Sequence, residues 1–509
     1  MNQFDDVVYN NIPRNTFDLS NDRKFSFNMG ELVPILTQEV VPGDTFSIRE
    51  EHIIRVAPLV SPVMHRVNVS THYFFVPNRL LWAGWEDFIS NPTDPTNPAP
   101  QFNTDAPTES GSIMDYLGYP TGEVIRFQNP MPISAYNLIW NEYYRDQNLQ
   151  QPKAYELIDG SNFDPEIVGC QATKPYKRAW QKDYFTSALP FPQKGEPVSI
   201  GIGGTADVKY KSGITPIPTV KDFNGNPVGY ANKNLIVDAN GELRVDDVID
   251  AGARLDNSGN LEVDLASSSA ITIEQLRRAT RLQQWLEINA RSGTRYVENI
   301  MAHFGVKSQD SRLQRPEYLG GGKSNISFSE VLQMSASDTV TPQGNMSGHG
   351  INVGNSANIK NTFQEHGFII GIMSVLPDTA YMNPSPKWTT RFDPLEYLWP
   401  TFAQLGEQPV LNYELNGESN DEIFGYQSRY ADYKFNHNTV HGDFKGNLDF
   451  WHMSRKIEGN PLLNSNFIEA DPTTRIYAVE EANVDKLYCQ LYHRISAQRP
   501  LPRNNIPTI

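Results

Sequence analysis

The chain has 509 residues, 39% hydrophobic and 11% aromatic, with 43 basic against 59 acidic side chains for a net charge of −16. That apolar content can bury a large core and excludes global disorder, and no run approaches the roughly 18 uninterrupted apolar residues of a membrane-spanning helix. The acidic total argues against a protein coated in nucleic acid, while leaving room for one basic face.

The opening MNQFDDVVYN carries two Asp and no basic apolar leader, so no secretory signal is expected. The first strand candidates are Gly30–Val41 and Thr45–Ala57, flanking the turn Pro42-Gly43-Asp44. His65–Val76 follows, alternating Val67, Val69 and Thr71 against Asn68, Ser70 and His72, a period of two that sends one set inward. Leu81–Ile89 spaces Trp82, Trp85 and Phe88 along one face of a short helix. Asn91–Pro100 reads NPTDPTNPAP, which suits neither helix nor central strand and makes a stiff strap for a neighbouring subunit. A second helix is expected over Ala135–Leu149 with Ser134 as its N-cap.

Lys174–Phe185 (KPYKRAWQKDYF) sets Lys174, Lys177, Arg178 and Lys182 among Tyr176, Trp180, Tyr184 and Phe185. Cations neutralise phosphates and flat rings stack unpaired bases, so this stretch is a nucleic-acid candidate; the competing reading is a solvated segment with its rings in the core. From Gln193 to Ser269 the texture changes. Aromatics almost vanish, turn pairs such as Asn224-Gly225 and Asn240-Gly241 appear, and 7 basic residues face 11 acidic ones. DANGELRVD (Asp238–Asp246) and DNSGNLEVD (Asp256–Asp264) look like two versions of one hairpin edge, in an exposed β-rich excursion.

Ile273–Phe304 has the strongest helical rhythm, with a capping-box spacing at Thr272 and Gln275 and an apolar face of Ile273, Leu276, Ala279, Leu282, Leu286 and Ala290; Ser292-Gly293 should break or kink it. Strands are expected again at Asn325–Met334, Gly367–Leu376, Val440–Trp451 and Val484–Ile495, the last alternating Leu487, Cys489 and Leu491 with Tyr488, Gln490 and Tyr492. The tail RISAQRPLPRNNIPTI carries Arg494, Arg499 and Arg503 without an acid, extended by its prolines toward nucleic acid or a neighbouring subunit.

Catalytic and metal motifs are weak. Lys323-Ser324 follows three glycines, but Glu317 stands where a phosphate loop needs its first Gly, so a flexible turn before a strand is expected. The G-x-G-x-x-A at Gly201, Gly203 and Ala206 lacks the helix that must follow. His437 and His441 lie in a loop-to-strand stretch, where they cannot share a metal. Cys170 and Cys489 make neither a disulfide framework nor a zinc site. Asp222–Asn226 and Asp238–Glu242 offer hard oxygens that suit Ca²⁺ but lack the Gly and bidentate Glu of an EF-hand, so Asx turns and no cofactor are expected.

Several long segments, however, resemble one family in order along the chain: FNMGELVPILTQEVVPGDTF (Phe27–Phe46), APLVSPVMHRVNVSTHYFFVPNRLLWAGWEDFI (Ala57–Ile89), YNLIWNEYYRDQNL (Tyr136–Leu149), WQKDYFTSALPFPQKG (Trp180–Gly195), SGTRYVENIMAHFGVKSQDSRLQRPEYLGGG (Ser292–Gly322) and RISAQRPLP. The resemblance is to major capsid proteins of the Microviridae, tailless single-stranded DNA bacteriophages, particularly gokushovirus-like members. It implies a mainly β, non-enzymatic structural protein: an eight-stranded antiparallel jelly roll of viral capsid type with long loop insertions and a few helices. The implied organisation is an N-terminal arm (1–25), a first part of the jelly roll (26–192), an exposed variable insertion (193–270) near threefold axes, and a helix with the remaining strands and tail (271–509). Sixty copies would close a T = 1 icosahedral shell around a circular single-stranded DNA genome.

The partners the resemblance implies are identical subunits, the DNA genome, a small basic DNA-packaging protein, a DNA pilot protein, an assembly scaffold and a host cell-surface receptor. The expected location is the virion, with assembly in the bacterial host cytoplasm. Lys174, Lys177, Arg178, Trp180, Lys182, Arg499 and Arg503 are the candidates for DNA contact, and Asn224, Asn226, Asn240 and Asn257, on the insertion, for host attachment. The rival reading is a polysaccharide-binding or polysaccharide-degrading β-sandwich, for which aromatics and Asp/Asn turns would serve as sugar platforms.

Overall fold

The computed structural model describes residues 13–90, 98–195, 314–334, 343–418, 421–479 and 483–503, residues 302 and 481, the helix Ile273–Arg291, and the backbone of six short strands between 208 and 263. The chain divides into two compact units, one comprising Met1–Lys194 and Glu287–Ile509, the other Gly195–Leu286. The first twelve residues, most of the proline strap (91–97) and Asn224, Asn226, Asn240 and Asn257 lie outside the described residues, as does the G-x-G-x-x-A motif.

In the first unit alternating apolar residues produce the strands β1 (Asn15–Asp18), β2 (Asn21–Phe27), β3 (Val33–Val40), β4 (Thr45–Val56), β5 (Val67–Pro77), β6 (Glu317–Leu332), β7 (Met346–Asn355), β8 (Ile359–Thr362), β9 (Gly367–Pro377), β10 (Glu407–Leu411), β11 (Ile423–Ser428) and β12 (Leu487–Arg499). An eight-strand antiparallel path runs β1-β12-β4-β7-β6-β5-β9-β3, with β2 added on β12 and β8 on β4; β10 and β11 form a separate pair. Such a curled, all-antiparallel sheet with few helices is of the jelly-roll type that the resemblance implies. Pro34 sits on the edge strand β3, where a missing N–H donor is tolerated and blocks further pairing.

The curl has a local cause in β6. Its first part pairs with β5 and its last part with β7, and the register slips between Tyr318 and Gly320. A Cβ at Gly321 would lie 2.0 Å from the Thr71 carbonyl oxygen, so only glycine lets β6 approach β5 this closely. The Gly320-Gly321-Gly322-Lys323-Ser324 run is therefore part of a strand, a correction to the flexible turn expected there.

Every residue of β9 is buried, because the strand is covered on both faces. Ile369, Met373 and Val375 face the interior of the curl with Val67, Val69, Tyr73 and Phe75 of β5. Phe368, Ile370 and Ile372 face the other way, with Phe74 and Val76, into a second core built by helices α1 (Trp85–Ser90), α2 (Ile113–Leu117) and α3 (Met131–Ile139) and the loops around them. Inside the first core lies a polar cluster. Glu50, fully buried, accepts from Thr71 Oγ1 at 2.9 Å and pairs with His52, whose Nε2 meets Asn352 Oδ1 at 2.7 Å.

Several expectations need correction. α1 begins at Trp85 because Trp82 is held deep in the core, its Nε1 donating to Asp159 at 2.7 Å. α3 begins at Met131, whose N–H is taken by Asn129 Oδ1, so Ser134 is inside the helix and donates to the Tyr155 carbonyl instead of capping. It ends in a π turn over Trp140–Tyr144, after which Asp146 accepts from the Asn148 N–H and competes with helical bonding. Val440–Trp451 forms two 3₁₀ turns, Gly442–Lys445 and Asp449–Trp451, since the Asp443 carbonyl accepts from both Gly446 and Leu448. The tail is no free arm as far as Arg499: β12 is an inner strand paired with β4 on one side and β1 and β2 on the other.

In the second unit the described strands pair in a nested antiparallel series: 208–210 with 261–263, 220–222 with 253–255, and 235–237 with 243–245. The two look-alike edges thus differ, the first closing a local hairpin and the second pairing with a segment some fifty residues earlier. The helix α4 (Ile273–Arg291) ends next to Ser292-Gly293, where a break or kink is expected, and of the expected continuation to Phe304 all but residue 302 lies outside the described residues; Leu276 and Leu282 on the expected apolar face are exposed, while Asn289 and Ala290 near its end are buried.

Candidate nucleic-acid interface

Because β5 alternates, Asn68, Ser70, His72 and Phe74 all leave the curl on its outer side, where they floor a cleft of ≈ 1310 Å³. One wall is the turn after α3 (Tyr143–Leu149). Others come from 178–182 and 187–190, the start of β6 (Arg315, Tyr318, Gly321–Lys323), and Ala290-Arg291 at the end of α4. Six cations line it, Arg145, Arg178, Lys182, Arg291, Arg315 and Lys323, against one carboxylate, Asp146. On a chain with an acidic excess this is a strong local reversal of charge.

The cations are held in different ways. Arg178 donates to Ser70 Oγ at 2.6 Å and to Ser374 Oγ at 2.7 Å, pinned to neighbouring β5 and β9. Lys182 pairs with Asp146 at 2.9 Å, and Arg291 with the nearly buried Glu407. Arg315 lies over the Tyr143 ring at 4.9 Å. Lys323 is exposed and forms no ion pair among the described residues.

Aromatic rings gather beside them. Phe74 contacts Tyr143 at 4.7 Å and Tyr318 at 5.4 Å, and His72 contacts Tyr144 at 6.0 Å and Tyr318 at 5.9 Å. His72 Nδ1 and the Tyr144 hydroxyl share a hydrogen bond of 2.7 Å. Burial, reinforced by Arg178, pushes His72 down to about 4, so at neutral pH the ring is uncharged and the positive field comes from Arg and Lys. Burial also raises the Tyr144 phenol, which stays protonated. Tyr318 keeps an exposed flank. Cations for phosphates beside exposed ring surface suit a single-stranded nucleic acid, and the volume exceeds the roughly 300–1,000 Å³ usual for small-ligand sites.

A family model described as capsid protein (F protein) matches residues 6–509. The chain belongs to that phage capsid family. It is 37% identical to capsid protein VP1 of Chlamydia phage 1 over 99% of this chain and 97% of that one. It is 36% identical to capsid protein VP1 of Bdellovibrio phage phiMH2K, covering 97% and 95%, and 32% identical to that of Spiroplasma virus 4, covering 98% and 96%.

In this capsid chain the cleft collects Arg178, Trp180 and Lys182 from the sequence candidates. Trp180 is 4% exposed, packed against Leu376 and Ala470 with Arg455 over its ring at 5.1 Å, so it has no free face for a base. Tyr184 and Phe185 are likewise core, and Tyr176 stacks on Tyr136 at 5.3 Å. The rings that do border the cleft come from β5, the α3 turn and β6, which no local spacing joins to the basic stretch. Lys174 and Lys177 point to Asp485 (4.0 Å) and Asp471, away from the cleft lining. Arg499 bonds Asp44 at 3.2 Å and the Glu39 carbonyl at 2.8 Å, while Arg503 is exposed at the end of the described tail.

Both cysteines are buried and free, with burial raising each thiol. Among the described residues no cluster of three or more metal-ligating side chains occurs, and no helix is long and apolar enough to cross a membrane. His437 stacks on Phe185 at 4.7 Å while His441 bonds Thr439.

Proposed function

We propose that this capsid protein closes a T = 1 shell of sixty copies around a circular single-stranded DNA genome, and that the cleft on the outer side of β5 holds a stretch of that DNA. The observation that carries the DNA contact is the six-to-one excess of cations lining one large cleft on a chain of net charge −16. Arg178, Lys182, Arg291, Arg315 and Lys323 would meet phosphates while Tyr318 offers ring surface to a base. Lys174, Lys177, Arg499 and Arg503 serve as secondary contacts, since the first three are already engaged by carboxylates. A shell this acidic offsets little phosphate, which favours a separate basic DNA-packaging protein beside a pilot protein and a scaffold.

Host attachment falls to the insertion of residues 193–270, with Asn224, Asn226, Asn240 and Asn257 as contacts. In support, its described strands pair only with one another, so deleting 220–262 removes no partner from the main sheet. That deletion should leave shells intact and abolish adsorption. The whole reading is tested by electron microscopy of purified particles together with ultraviolet cross-linking of their DNA. Cross-linked peptides should include 143–149, 178–190 or 315–323; hollow shells whose DNA links only elsewhere would refute the assignment of the cleft.

A further inference from the structure

The floor of the cleft carries one hydrogen-bonding group whose polarity the surrounding side chains fix. His72 Nδ1 and the Tyr144 hydroxyl are 2.7 Å apart, and no other hydrogen bond engages either side chain among the described residues. A phenol is a stronger acid than a neutral imidazole N–H, and an imidazole nitrogen accepts better than a phenol oxygen. The Tyr144 O–H therefore donates to Nδ1. Burial keeps the imidazole uncharged at neutral pH, so its single proton is left on Nε2. His72 is half-buried in the cleft lining with Nε2 unengaged. Beside it, Arg178 bridges Ser70 and Ser374 and can only donate.

Tyr318 stands next to this donor. Its ring centroid is 5.9 Å from that of His72, and 45% of the residue is exposed. One base can lie on Tyr318 and reach the imidazole with its edge. Which edge follows from where the cations are. Lys182, Arg315 and Lys323 belong to the walls, and His72 to the floor. A strand held by its phosphates at the walls keeps its sugars outward, so a base that reaches the floor arrives with the edge farthest from the sugar. On that edge thymine and guanine carry a keto oxygen, whereas cytosine and adenine carry an amino group. The Nε2–H bonds the first and opposes N–H to N–H in the second.

We infer that the cleft selects an unpaired keto base, thymine or guanine, which stacks on Tyr318 and accepts a hydrogen bond from His72 Nε2–H. Tyr144 is the positioning residue that fixes the tautomer. The inference rests on the DNA reading of the cleft and adds which bases it prefers.

The test compares oligothymidylate with oligodeoxycytidylate, each of about ten nucleotides, bound to dissociated full-length subunits by fluorescence anisotropy. Both are pyrimidines with the same phosphates, so their salt slopes should agree and their affinities should differ. Wild type should prefer thymidylate by about three- to tenfold, the effect of one neutral hydrogen bond. His72→Phe should lower thymidylate binding to the cytidylate level. His72→Gln, which can donate or accept, should raise cytidylate binding to the thymidylate level. Tyr318→Leu should weaken both by about tenfold or more and keep their ratio. Equal binding of the two oligomers by wild type, or a preference that survives both His72 variants, overturns the inference and leaves the DNA reading standing. A wild-type subunit that binds neither oligomer removes the DNA reading and the inference with it. Nitrogen-15 NMR of histidine-labelled subunits gives a readout independent of binding, with the His72 signals identified by their loss in His72→Phe. Wild type should show the Nε2-protonated tautomer and Tyr144→Phe a mixture; an Nδ1-protonated ring in wild type overturns the assignment.

Discussion

Replacing Lys323 with Gln removes an exposed cleft cation that forms no ion pair among the described residues. Each phosphate contact to a single strand contributes about 0.7 to the slope of log K against log salt. K323Q should therefore flatten that slope by about 0.7, which at 0.15 M salt corresponds to about fourfold weaker binding. Lys182 is 2.9 Å from Asp146, so part of its charge is already offset inside the protein. K182Q should cost less than K323Q, and Asp146→Asn should tighten binding by freeing Lys182. Lys456, exposed and paired with Glu458 at 2.8 Å away from the cleft, is the control, and K456Q should leave the slope alone. Fluorescence anisotropy of a labelled oligothymidylate with dissociated subunits, titrated in KCl from 50 to 300 mM, reads all four. Equal slopes for wild type and K323Q would show that the cleft does not contact phosphates.

Further outcomes follow from the core. Gly321→Ala drives a methyl into the Thr71 carbonyl and should cost more than about 3 kcal/mol, or prevent folding, whereas Gly169→Ala, with nothing within 4 Å of its Cβ, should stay within about 0.5 kcal/mol; urea melts compare them. Glu50→Ala strands His52 and Thr71 without their buried partner and should lose about 3–5 kcal/mol in the same melts. His493 is fully buried, bonds the Tyr73 hydroxyl at 2.9 Å, and is pushed down to about 3 by burial with help from Arg23. Its folded value lies below the unfolded value near 6.5, so its contribution is complete above about pH 6.5 and falls as pH drops toward 3, by about 1.4 kcal/mol per pH unit and about 2 kcal/mol at pH 5. His493→Gln should lose that part of the acid sensitivity between pH 7 and 5, and an unchanged pH dependence would refute it.

Legibility in the sequence followed coverage of the strands. β12 alternates without a break, and its inward set Leu487, Cys489, Leu491 could be read off because one face is core and the other is not. β9 was legible as a strand from its unbroken apolar run, but not why it is apolar throughout: that takes a second core of helices on its far side, contributed by residues more than two hundred positions earlier. Val440–Trp451 misled because its hydrophobic residues alternate by chance across two turns that Gly442 and Gly446 permit. The cleft was half legible. Arg178 and Lys182 stood out as a local basic cluster, but Arg315, Tyr318 and Lys323 join them only because β6 pairs with β5, a long-range register that no spacing rule encodes. The interleaved Trp and Tyr residues of 176–185 were the least informative signal, since a ring beside a lysine in sequence can be packed into the core, as Trp180 is against Leu376 and Ala470.

What distinguishes this chain from an ordinary β-sandwich is where its order is incomplete. The curl is largely self-sufficient: its inner face is buried, β9 is covered on both faces, its edge β3 is blunted by Pro34, and Glu50, His52 and Asn352 pair within its interior. The connections are not. Residues 387–405 spend a capping box, a buried ion pair and three tyrosine hydrogen bonds on holding apolar side chains out in water. Inside a solitary enzyme or lectin such investment would be unfavourable, because ordering a loop costs about 1–2 kcal/mol per residue and exposed rings return nothing. The balance changes sign only if the exposed surface is later covered. The basic cleft on the outer side of β5 is a different kind of exposed surface, suited to a polyanion rather than to apolar cover.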